Sequence, residues 1–252
     1  MAHRAFPEVT KQPYRVQILV PIPVELDAGE LVARLLRWRG DIAVRAAAAQ
    51  GIALSIPTAD LPLDVDIYPA TLDAFAGALH EALVWSPAWP ECRGQLMSCQ
   101  ASIVVALAPS RPVNSAALLL SFLMVLDTVL LWLDDEVRAH AVLHWIPAQQ
   151  VLALDRYWML RTELGPCGPA VNVRIANATG RPGELLADTI GLAELGLPDL
   201  QTVFTDRDPA DVTLQLFLQA RRLFVGDRLD CAWIEEVSLS PPERDALTLQ
   251  LD

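Results

Sequence analysis

The run from Ser115 to Leu133, SAALLLSFLMVLDTVLLWL, is the feature that most narrows what this chain can fold into. Its length is close to the roughly 20 apolar residues that a membrane span requires. Asp127 lies inside the run, however, and an aspartate near a bilayer centre costs about 2.5 to 3.5 kcal/mol on the insertion scale. Asp134, Asp135 and Glu136 follow directly, and no Lys/Arg cluster marks a cytoplasmic flank. The segment therefore predicts a long helix buried all round against a sheet. Burial disfavours the charged carboxylate of Asp127 unless a cation is close, so it is read as the partner of a buried arginine, as a helix-packing group or as an active-site acid.

Around this helix the apolar spacing alternates between the strand and helix periods. Tyr14–Ile22 carries Val16, Ile18 and Val20 on one face, and a helix starts at Asp27 with Glu30 as a capping-box partner and Leu31, Leu35 and Trp38 as its buried stripe. Strands follow at 52–56 and 63–68, then a helix capped by Thr71 with Leu72, Phe75, Leu79 and Leu83 on one face. Residues 85–94 read as a turn-rich connection, 95–108 and 139–146 as strands, and 152–164 as a helix. Val171, Val173 and Ile175 alternate with polar residues, Asp208-Pro209 opens a helix that Gly226 stops, and 229–237 is a last strand. The pattern predicts an α+β fold with mixed or antiparallel sheets and packed helices, in its finer form two ferredoxin-like halves (14–108 and 112–240) sharing one core. Residues 1–13 are expected as a flexible N-terminus, 14–240 as one compact domain, and 241–252 as a polar tail.

Chemistry-bearing motifs are scarce. The sequence contains no G-x-G-x-x-G after a strand, no G-x-S-x-G elbow and no H-E-x-x-H. His140 and His144 are the best histidine pair, yet on a strand they would share a face about 13 Å apart, too far for one metal ion. On a helix they would be one turn apart and could bind zinc with Asp135 or Glu136. Cys92, Cys99, Cys167 and Cys231 have no C-x-x-C spacing, so no metal and no cofactor is expected. The start MAHRAFPEVTKQPYR lacks the apolar core of a signal peptide, which points to reduced cysteines and a cytoplasmic protein. Asn177-Ala178-Thr179 matches a glycosylation acceptor by chance in that setting.

Charge decides more. The net charge of −12 opposes binding to phosphate backbones and anionic lipid, so neither nucleic acid nor a membrane is an expected partner. Residues 1–126 hold 11 acids and 9 bases, whereas 127–252 hold 20 and 10, a net of −10. Lys11 is the sole lysine, which leaves little room for Schiff-base chemistry. The acid clusters lack the order of a calcium loop. Asp206 and Asp211, with Glu235 and Glu236, are instead the expected partner-binding residues, Asp208 being spent on a helix cap.

The stretch Thr189–Phe204, TIGLAELGLPDLQTVF, followed by Asp208–Phe224 and Gly226-Asp227, resembles the C-terminal signature of the bacterial family catalogued as domain of unknown function 4261. The resemblance covers about 115–237, with Asp230-Cys231-Ala232-Trp233 departing from the family's ending. It implies a bacterial protein and carries over no catalytic residue. Together these readings lead to a non-enzymatic protein-binding module, a cytosolic immunity or adaptor protein for a basic toxin or secreted effector such as those of type VI secretion. The alternative is a small-molecule enzyme or sensor with a pocket around Asp127, His140 or His144.

Overall fold

Alternation along β1 (Arg15–Val20) organises the first sheet: Val16, Ile18 and Val20 enter one core, while Gln17 and Leu19 face the opposite side. The computed structural model describes residues 14–58, 62–86, 89–107, 116–239 and 245–251. After β1 come α1 (Ala28–Trp38), β2 (Ala43–Ala48), β3 (Gly51–Ile56), β4 (Leu63–Ala70), α2 (Ala76–Trp85), α3 (Trp89–Ser98) and β5 (Ala101–Leu107). Next are α4 (Ala116–Trp132), α5 (Asp135–Ala139), β6 (Val142–Trp145), β7 (Gln150–Ala153) and α6 (Leu154–Glu163). The chain ends with β8 (Asn172–Asn177), β9 (Leu185–Ile190), β10 (Asp199–Phe204), α7 (Pro209–Val225), β11 (Ala232–Val237) and β12 (Asp245–Gln250).

These strands form a seven-stranded antiparallel sheet in the order β2-β3-β4-β5-β1-β6-β7 and a five-stranded mixed sheet in the order β11-β12-β10-β9-β8. The fold is α+β. Its strand orders do not divide into the expected repeat of 14–108 and 112–240, because β6 and β7 complete the first sheet beside β1. Residues 1–13 lie outside the described residues.

Helix α1 begins where Asp27 Oδ1 accepts the backbone N–H of Glu30 at 2.9 Å. Only half of the expected capping box forms, since the Glu30 carboxylate turns outward to Arg34 and to the Trp132 indole N–H. Leu31 and Leu35 are buried and Trp38 packs on the core, as their spacing predicts. Helix α4 lies on the same core with Leu119, Phe122, Leu123, Leu126 and Leu130 buried. It is not buried all round: Leu120 and Leu131 are 42% and 54% exposed. Among the described residues no helix is long and apolar enough to cross a membrane.

Several local expectations are corrected. Residues 89–98 are helix α3 rather than a turn, because Pro90 sits in a first turn, where its missing N–H costs nothing. The strand expected at 95–108 therefore begins only at Ala101. Thr71 supplies no side-chain cap; a 3₁₀ turn at Leu72–Phe75 leads into α2. The segment 139–146 splits between the end of α5 and β6, and Leu152 and Ala153 belong to β7. The expected polar tail is in part a strand: β12 lies between β10 and β11 and buries Leu247 and Leu249.

Helix α7 covers one face of the second sheet, and its Phe217 and Phe224 pack against both main cores. Asp208 Oδ1 caps its start through the N–H of Ala210, and Gly226 at φ 79 ends it, both as expected. Close approach also fixes Gly191, at φ 114: a Cβ there would lie 2.2 Å from the carbonyl oxygen of Ala170.

Candidate functional site

The face of the second sheet turned away from α7 is polar by alternation. Val173 and Ile175 of β8 point to α7, so Asn172, Arg174 and Ala176 point the other way. Register places Asp188 of β9 directly opposite Arg174. The guanidinium grips that carboxylate with two prongs, Nε to Oδ1 at 3.0 Å and Nη2 to Oδ2, and each side chain is 4% exposed. Trp85, at the end of α2, lays its ring 5.0 Å from the Arg174 Cζ. Nearby, the Asn172 amide donates to the carbonyls of Trp85 and Gln149. Gln149 itself has φ 49, an uncommon backbone conformation for a non-glycine residue.

Arg174, Asp188, Trp85 and Gln149 line a cleft of about 570 Å³, where α2 and the β6–β7 turn meet β8 and β9; Glu81 and Leu239 also line it. A second cleft of about 470 Å³ opens over the β10 and β12 ends, lined among others by Ile234, Glu236, Thr248 and the Arg181/Glu184 hairpin. A chain of hydrogen bonds runs from β10 across β12 to β11: Gln201 Nε2 donates to Thr248 Oγ1 at 2.8 Å, and Thr248 Oγ1 to Glu236 Oε2 at 2.7 Å.

The four acids expected to bind a partner are all exposed, but they form two groups. Asp206 and Asp211 sit at the end of the sheet where β10 runs into α7. Glu235 and Glu236 lie on the edge strand β11, about 10 Å along it from that end by the strand rise, and they point to opposite faces. Asp206 adopts φ 54, which Asp tolerates better than most residues.

The alternative trio does not share a pocket. Asp127 lies on the α4 side of the first sheet, where Tyr157 donates to its Oδ1 and Arg161 Nη2 to its Oδ2 at 2.9 Å. The nearby carboxylate and burial hold the Tyr157 hydroxyl well above its usual range, with burial the larger cause. His144 alternates with Leu143 and Trp145, and so points to the opposite side of that sheet. There it is fully buried, with Nδ1 3.1 Å from Gln17 Oε1, and burial pushes its pKa down to about 4. His140 is exposed at the end of α5, off the strand altogether. His80 is exposed too.

None of the four cysteines is in a disulfide, and three of them are buried. Burial raises Cys99 to about 11 and Cys167 to about 12, so neither is a ready nucleophile at neutral pH. Among the described residues no cluster of His, Cys, Asp or Glu could hold a metal ion. Sequence reasoning missed Arg174 and Asp188, whose only signal was the polar side of the Val173/Ile175 alternation.

What fold and site define is an α+β protein of two sheets, with a closed ion pair flooring one cleft and an acidic edge strand bordering another. Comparison with family models, curated proteins and solved structures finds no match.

Proposed function

We propose that the protein is a non-enzymatic binding module for a basic protein, of the kind a bacterial immunity or adaptor protein provides against a toxin or secreted effector in the cytoplasm. The observation that carries this reading is the placement of acid: Asp206, Asp211, Glu235 and Glu236 are all exposed on the five-stranded unit, in the half of the chain with net charge −10. A field of that sign speeds encounter with a basic surface and is screened by salt, with a Debye length of about 10 Å at 0.1 M.

The test uses the product of the neighbouring open reading frame, purified and captured by this protein at several salt concentrations. Replacing Asp206 and Asp211 with Asn, and Glu235 and Glu236 with Gln, preserves shape and the uncommon backbone of Asp206. Association should slow by about tenfold at low salt, with dissociation little changed. An acidic partner, or an association rate indifferent both to salt and to the four replacements, would overturn the reading.

A further inference from the structure

Two sheets have four edges, and three are blunted. The pairing of β2 with β3 shifts register between Val44 and Ala46, which bends that edge. Strand β7 has four residues, all buried, and packs against α2 and α3. On β8 the first three residues are buried, and Asn172 is tied to Trp85 and Gln149. Strand β2 is also exposed along all six residues, but its register is broken and its Arg45 is held by Asp64 and Asp66; β11 differs from it in an unbroken register and in its acids. Its six residues pair with β12 without a shift, Ala232 to Glu236 are exposed, and among the described residues no strand pairs with its outer side. Trp233 and Ile234 stand 46% and 48% exposed on opposite faces.

Such an edge is a template for another strand, since about three of its residues direct both N–H and C=O outward. Charge decides which strand. A second copy of β11 paired there would gather four carboxylates, from Glu235 and Glu236 of each chain, along one seam. A strand with adjacent basic residues would instead neutralise Glu235 on one face and Glu236 on the other. Its apolar residues would lie against Trp233 and Ile234, and the Trp233 ring offers a cation a further contact.

We infer that β11 is a docking edge, at which an extended basic segment of a partner protein adds as a sixth strand of the second sheet. This rests on the basic-partner reading above and specifies how that partner is held. Main-chain hydrogen bonds supply the affinity, and the paired glutamates select for charge and against self-association.

The probe is a synthetic peptide, Thr-Lys-Lys-Val-Val-Thr, titrated at up to millimolar concentration into the full chain while backbone amide signals are followed by NMR. Two further peptides of the same sequence and charge carry N-methyl groups on alternate residues, one blocking each peptide edge. The unmodified peptide should shift and protect the outward amides of β11. One N-methylated form should bind about a hundredfold more weakly, as the loss of roughly three backbone hydrogen bonds requires, while the other binds nearly unchanged. Equal binding of all three peptides would overturn strand addition and leave the basic-partner reading standing. No shift of β11 amides would likewise overturn strand addition. Binding unaltered by Glu235→Gln with Glu236→Gln would overturn the charge selection at β11 and with it the basic occupant. In sedimentation the wild-type chain should not self-associate through β11, whereas Glu235→Thr with Glu236→Thr should; a wild-type dimer paired at β11 would overturn the basic occupant.

Discussion

Arg174 on β8 and Asp188 on β9 face each other across the second sheet, and with 4% of each side chain exposed they neutralise one another at the floor of a cleft. The pair is a local commitment: desolvating both charges is costly, and their mutual attraction offsets the cost only while both are present. Asp188→Ala, which leaves the guanidinium under Trp85 without its carboxylate, should cost about 3 to 5 kcal/mol in chemical denaturation. The double change Arg174→Met with Asp188→Leu should cost less than that single change. A loss below about 1 kcal/mol for Asp188→Ala would show that the guanidinium finds compensation elsewhere.

The buried histidine predicts a pH dependence. His144 has a folded pKa of about 4 against an unfolded value near 6.5, so below pH 6.5 the unfolded chain binds a proton that the native chain refuses. Stability therefore falls as pH drops through that window, by about 2 kcal/mol at pH 5 and about 3 kcal/mol once both states are titrated. His144→Asn, which keeps a donor near Gln17 Oε1, should flatten the difference in denaturation midpoint between pH 7 and pH 5. A profile identical to wild type would assign the acid sensitivity to other groups.

Asp127 illustrates what a sequence can and cannot supply. Its position inside an apolar helix marks it as an acid in need of a cation, and Arg161 and Tyr157 of α6 meet that need. The choice of partner could not be read in advance, because it depends on α6 crossing α4. With Asp127 and Arg161 19% and 16% exposed, Asp127→Ala should cost about 1 to 3 kcal/mol by leaving a partly buried guanidinium without its carboxylate. It should not change capture of a basic partner, because the group lies on the first sheet, away from the exposed acids. Weakened capture at unchanged stability would place Asp127 in the interface instead.

Elements fixed by neighbours in the chain were legible: β1 from its alternation, α1 from Asp27 and the Leu31/Leu35 stripe, α7 from Asp208 and Gly226. Those fixed by distant partners were not. Arg174 looks like any outward residue of a half-buried strand until Asp188, 14 positions on, is placed opposite it by register. Trp89-Pro90-Glu91 read as a turn because a proline in a helix's first turn and a proline in a loop look alike from one sequence. The exposed edge of β11 depends on the sheet order, which no local pattern encodes.

The last twelve residues give the sharpest contrast between the two levels. After Pro241-Pro242 the sequence runs ERDALTLQLD, which its polar residues suggest is a solvated tail. Leu247, Leu249 and Leu251 nevertheless alternate with Thr248 and Gln250 at the strand period, and the segment takes the place between β10, parallel to it, and β11, antiparallel to it. Thr202 Oγ1 donates to the Leu249 carbonyl and Arg207 Nη1 to that of Leu251, which ties β12 to the β10 strand and its exit. Removing residues 241–252 would take away a central strand, detach β11 from the sheet and uncover the apolar face that Leu247 and Leu249 close. Burial of those two leucines alone is worth about 3 to 6 kcal/mol, comparable to the whole stability of many domains. The shortened chain should lose amide protection throughout β9, β10 and α7 in hydrogen exchange, and its melting transition should fall or split. In case it does not accumulate, full-length Leu249→Ala should still cost about 2 to 5 kcal/mol, as a core leucine does. A shortened chain that melts like the full one, or a Leu249→Ala change within 0.5 kcal/mol of wild type on the scale of surface substitutions, would return this segment to the solvated tail that its sequence suggests.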